Sequence, residues 1–124
     1  MKVVVSSTGP DISSAADPRF GRCAYFVVVE TETMEAKAHS NQSRTAMGGA
    51  GIQAGQFVAS LGAEVVITGN VGPNAARVLT AAGLKIYTGA TGTVEEAVKK
   101  CLSGSLNRTS SATVSAHAGM GGGR

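Results

Sequence analysis

Apolar residues recur along this chain in short blocks, each closed by a cluster of Gly, Pro, Ser or Asn. Residues 2–6 contain a continuous β-branched run, Val3-Val4-Val5, which is the mark of a strand buried on both faces. Residues 24–30 form a second apolar run. Residues 34–40 alternate instead, with Met34, Ala36 and Ala38 on one face and Glu35, Lys37 and His39 on the other. The short break at 31–33 makes these two strands an antiparallel hairpin. Before the hairpin lies a loop over residues 8–22, punctuated by Gly9, Pro10, Asp11, Asp17, Pro18 and Gly21. Loops of that length in compact domains usually carry function. A second long loop spans residues 41–49.

The period then changes from two to 3.6. Ala50, Ala54, Phe57, Val58 and Leu61 make one helical stripe, and Gly62 sits where a helix C′ residue belongs. A strand over 64–68 precedes a second helix, opened by Gly72-Pro73, striped by Ala75, Val78, Leu79 and Ala82, and ended by Gly83. After a short strand at 85–87, Thr93-Val94-Glu95-Glu96 reads as a capping box. The third helix that follows carries Val94, Ala97, Val98, Cys101 and Leu102 on one face. The order βββαβαβα predicts a single α/β domain over residues 1–102 with a five-stranded mixed sheet. From Ser103 onward Ser, Thr, Ala and Gly dominate, and residues 103–124 read as a flexible tail. His117 and Met120 in that tail are donor types that soft metals accept, although a lone pair among glycines is weak evidence.

Composition narrows the reading. Hydrophobic residues make up 43% of the chain but aromatics only 4%, with no Trp, so the core must be built from small aliphatic side chains that allow close backbone packing. The formal charge of +3 is scattered, without a Lys/Arg run or interleaved aromatics, which argues against nucleic-acid binding. No apolar run approaches a membrane span, and no leader is apparent before the first strand. Cys23 and Cys101 are far apart and lack metal-ligand spacing, so free thiols in a reducing cytoplasm are expected. A monomer is the expected state.

Element order also predicts a site. Right-handed crossovers place the first and fourth strands parallel and adjacent, at a switch point of the sheet, where open α/β sheets bind ligands. The segments 6–9, 19–22, 44–51, 69–74 and 89–93 all fall on that edge. Three helix N-termini would open there, each with free N–H groups and a partial positive charge. Gly49, Gly51, Gly69 and Gly72 would let the backbone approach a ligand, beside Asn70 and Asn74. Arg19, Arg22 and Arg44 add full charges, so the edge reads as an anion site. The chain has no Walker phosphate loop and no dinucleotide glycine motif at a strand–helix turn. It shows no catalytic triad. Asp11 and Asp17 are too few for two-metal chemistry, so they are read as ordering the loop and the protein as a binder.

Three motifs carry a family resemblance: Arg19-Phe20-Gly21-Arg22, Gly48-Gly49-Ala50-Gly51-Ile52 and Gly69-Asn70-Val71-Gly72-Pro73-Asn74-Ala75. Through them, over about residues 1–102, the chain resembles a stand-alone member of the dinitrogenase iron–molybdenum cofactor biosynthesis family. The resemblance implies a three-layer, ribonuclease H-like fold. It also implies a carrier of anionic iron–sulfur or molybdenum-containing clusters, with cluster-assembly proteins as partners, and adds Phe20 and Gly21 to the expected site. Cofactor-carrying relatives tend to have His-Phe-Gly-x-Cys where this chain has Arg19-Phe20-Gly21-Arg22-Cys23. The cysteine is kept as a candidate ligand. The histidine has become an arginine, which can pair with an anion but cannot ligate a metal. Two other readings use the same surface: a phosphate- or nucleotide-binding regulatory module, and a protein-interaction adaptor docking through its tail.

Overall fold

The computed structural model describes residues 1–114. Its elements run β1 (Lys2–Ser7), a 3-10 turn (Phe20–Arg22), β2 (Tyr25–Glu30), β3 (Ala36–Ser40), α1 (Ala50–Ala59), β4 (Val65–Ile67), α2 (Pro73–Ala81), β5 (Lys85–Thr88), α3 (Val94–Leu102) and β6 (Asn107–Thr109). The strands form one mixed sheet in the order β3-β2-β1-β4-β5-β6. β1 pairs parallel with β4 in the register Val3↔Val65, Val4↔Val66, Val5↔Ile67, as the crossover argument requires. This is the three-layer, ribonuclease H-like α/β architecture expected.

The strand count is six rather than five. β6 lies within the stretch read as a tail, pairing antiparallel with β5 through Ile86↔Thr109, Tyr87↔Arg108 and Thr88↔Asn107. Asn107-Arg108-Thr109 has no apolar signature because an edge strand needs only one partner and buries little. Leu106, just before it, packs against the core. His117 and Met120 lie outside the described residues.

Period-two alternation in the central strands divides the core between the two faces. Val4, Phe26, Val66 and Ile86 point to the face covered by α1 and α2, where they meet Ala54, Val58, Ala75, Ala76 and Leu79. Val3, Val5, Val27, Val29, Val65 and Ile67 point to the opposite face, against Val94, Ala97 and Val98 of α3. Small side chains let α1 and α2 approach closely. A Cβ placed on Gly55 would stand 3.1 Å from Val78 Cβ, so this glycine sets the helix spacing. The three phenylalanines gather on the α1 side, with Phe20 and Phe26 ring centres 5.1 Å apart and His39 edge-on to Phe57 at 5.7 Å, whereas Tyr25 and Tyr87 pack on the α3 side. His39, on the strand face that also carries Glu35 and Lys37, is therefore half-buried at the end of the phenylalanine cluster.

Candidate anion-binding site

The loops at the carboxyl ends of β1 and β4 are tied together by backbone bonds. Asp17 N–H donates to the Ser6 carbonyl at 2.8 Å, and Asn70 N–H donates to the Pro18 carbonyl at 2.8 Å. Ser6 and Thr68, both buried, join β1 to β4 through their hydroxyls, 2.7 Å apart, under these loops. Gly69 lies so close to the first loop that a Cβ on it would sit 2.6 Å from Pro18 Cα. Only glycine fits there. The 3-10 turn then runs against the start of α1: Gly21 faces the backbone of Ala50 and Gly51, and Gly51 in turn faces Asn74 and Ala75 at the start of α2. All three motifs thus converge, and several of their glycines serve the packing of one backbone on another.

Two helices begin here without a side-chain cap. α1 starts after Gly49, which takes a left-handed φ of 73°, and α2 starts after Gly72 with Pro73 at its first turn. An uncapped start leaves first-turn N–H groups that the helix cannot satisfy internally, together with the positive end of the helix dipole. Because Gly51 packs on Asn74 and Ala75, the two starts lie side by side.

The third predicted helix start does not join them. α3 lies on the opposite face of the sheet, and its start is sealed: Thr93 Oγ1 accepts from Glu96 N–H at 3.1 Å, while Glu96 Oε1 accepts from Thr93 N–H at 2.8 Å. Val94 N–H and Glu95 N–H donate to the Ser14 and Ile12 carbonyls of the first loop, each at 2.9 Å. The capping box seen in the sequence therefore argued against ligand access at this helix.

The arginines divide by role. The Arg19 guanidinium is held by the buried Asp17 carboxylate through Nε at 3.2 Å and Nη2 at 3.3 Å, and this pairing raises its already high pKa. Its charge is largely balanced in place, not free as expected. Half of its side chain stays exposed, and among the described residues Nη1 has no partner. Arg22 Nη1 donates to the carbonyls of Arg44 at 2.8 Å and Ala46 at 2.7 Å, tying the second loop to the first. Arg44 itself is exposed. Asn41, a loop residue with no motif of its own, completes this tie through its Nδ2, which donates to the carbonyls of Gly21 and Cys23 at 3.1 and 2.9 Å.

Two expected site residues point inward. Phe20 is buried on Phe26. Cys23 is fully buried, its Sγ 3.2 Å from the Phe20 carbonyl, and burial pushes its thiol up to about 12. The thiolate that neighbouring arginines would have favoured is thus disfavoured by desolvation, the larger effect. Among the described residues no three His, Cys, Asp or Glu side chains group where they could hold a metal ion.

Residues 1–104 match the family model described as dinitrogenase iron-molybdenum cofactor. The chain belongs to that family. It is 32% identical over 102 residues to an uncharacterized protein of Methanocaldococcus jannaschii, covering 80% of this chain and 86% of the relative. Among solved structures it is similar to the apo form of the orange protein from Desulfovibrio gigas, with TM-score 0.87, 41% identity, and coverage of 91% of this chain and 96% of that one. A NifB-like protein of the DUF35 family from Thermotoga superposes with TM-score 0.78 at 36% identity, covering 91% and 97% of the two chains. The family match ends at residue 104, so β6 and the residues beyond it lie outside the matched stretch. No helix among the described residues is long and apolar enough to cross a membrane.

Proposed function

We propose that this protein binds and carries, without transforming it, an anionic metal–sulfur cluster as cargo, in the cleft between the starts of α1 and α2. The observation that carries the reading is the pair of uncapped helix starts lying side by side under an arginine-bearing rim. Backbone N–H groups and guanidinium hydrogens donate to an anion's sulfur or oxygen atoms without demanding a protein ligand on the metal. Gly49, Gly51, Gly69, Asn70, Gly72 and Asn74 form the floor and walls, and Arg19, Arg22 and Arg44 form the rim. Phe20, Gly21 and Cys23 support the floor from the core and do not touch the cargo. Family membership and likeness to the orange protein and a NifB-like protein support a cofactor-related role for the protein. Cluster-assembly proteins in a reducing cytoplasm are the matching partners, in keeping with two free cysteines.

Titration with tetrathiomolybdate tests this. Amide shifts should gather at residues 19–23, 48–52 and 70–74 and spare the start of α3. Arg44→Ala, which removes an exposed charge without breaking a side-chain contact, should weaken binding roughly 3–10-fold, the net scale of one solvent-exposed hydrogen bond. Lys99→Ala, which removes the same charge on α3, should leave it unchanged. Equal affinity in both variants, or shifts confined to residues beyond 114, would overturn the cleft.

A further inference from the structure

The segment after β6 returns to the cleft. Thr113 Oγ1 accepts from Val71 N–H at 2.8 Å, Thr113 N–H donates to the Val71 carbonyl at 2.8 Å, and Val114 N–H reaches the same carbonyl at 3.3 Å. Val71 is buried in the α1/α2 core and immediately precedes Gly72, the residue from which α2 starts. A residue beyond the family-matched stretch thus satisfies both backbone groups of a residue in the loop that presents the anion donors.

We infer that Thr113 is a positioning residue for the cleft: its latch on Val71 holds the α2 entry loop in the anion-binding geometry. The inference rests on the anion-site reading above. Two features point to coupling rather than mere attachment. Thr113 is itself exposed, so it gains little from burial and its contribution lies in these bonds. The loop it grips is held at Gly69 and Asn70 by Gly89 N–H on the Gly69 carbonyl and Asn70 N–H on the Pro18 carbonyl, but among the described residues the backbone of Val71, next to the α2 start, is held only by this latch. Loop and latch adopt their geometry together. A ligand that engages the α2 start must therefore favour the closed latch, and the closed latch must favour the ligand by the same factor.

The test uses the full chain with tetrathiomolybdate as probe. Thr113→Val keeps shape and removes the hydroxyl. It should speed exchange of the Val71 amide and weaken tetrathiomolybdate binding about fivefold, the low end for coupled sites. Thr113→Ser, which restores the hydroxyl, should bind like the parent and keep Val71 protected. In the parent, saturating tetrathiomolybdate should slow Val71 exchange more than exchange at Val4 in the sheet centre, which a general gain in stability would not do. Thr113→Val binding as tightly as the parent while its Val71 exchanges faster would leave Thr113 a structural tie and overturn the inference. Absence of binding by the parent would overturn the anion site itself, and the coupling with it.

Discussion

α2 and α3 both begin at the carboxyl edge of the same sheet, yet one start is open and the other closed. α3 is closed by its own sequence, through Thr93 and Glu96, and again by carbonyls of the first loop. α2 opens from a glycine that has no side chain to offer and a proline that has no N–H. The first loop treats the two ends differently. Its Ile12–Ser14 half lends carbonyls to α3, while its Pro18–Arg22 half lies beside α1 and β4 and brings a guanidinium instead. A helix dipole alone does not make a binding site. What matters is whether the chain has already supplied the acceptors.

The most damaging way to break this contrast is to separate the first loop from β4. Gly69→Ala places a Cβ 2.6 Å from Pro18 Cα. The expected cost is about 3 kcal/mol, the upper end for overpacking, read as a lower urea midpoint, with anion binding lost alongside it. Transplanting the closure should have a smaller and more selective effect. Gly72→Asp supplies α2 with an acceptor and a negative charge of its own, and should weaken tetrathiomolybdate binding roughly tenfold with helix content unchanged. The reciprocal change, Thr93→Ala, should cost about 1 kcal/mol of stability and leave binding untouched. Binding gained at α3 in that variant would show that capping was the whole difference.

The smallest effect contrasts the thiols of the two faces. Cys23 is sealed in the α1/α2 core, whereas Cys101 is half-buried against the α3 side, its thiol raised less far by the same cause. With its thiol up to about 12, the folded protein holds the Cys23 proton that the unfolded chain releases from pH 9 upward. The stability this gives is complete below pH 9 and is lost as pH rises toward 12. Between pH 8 and pH 10 the loss should be about 1 kcal/mol, seen as a midpoint drop that Cys23→Ala flattens. A drop of equal size in Cys23→Ala would assign it to other groups.

The sequence shows the fold well because the strands in its centre are continuous apolar runs and its helices are bounded by Gly, Pro and a capping box. β6 escaped because three polar residues on an edge carry no period. For the candidate site, which loops meet was legible, since element order alone brings them to one edge. The orientation of its side chains was not. Nothing in Arg19-Phe20-Gly21-Arg22-Cys23 says that the first arginine turns to Asp17, that the second clasps two carbonyls, or that Phe20 and Cys23 turn inward. Those outcomes depend on a buried carboxylate and on the second loop, neither of which has a local signature. The Thr93–Glu96 box had one, and it meant closure.

Gly55, deep in the groove between α1 and α2, has a consequence at the mouth of the cleft. The two helices are rigid rods that touch at Gly51 on Asn74 and Ala75, and again one turn further on at Gly55 against Val78. The spacing of their first turns is therefore gauged from behind as well as at the front, by how little volume stands at position 55 and at Gly51. A methyl group at position 55 would act as a wedge, spreading the two uncapped helix starts while every residue at their mouths stayed unchanged.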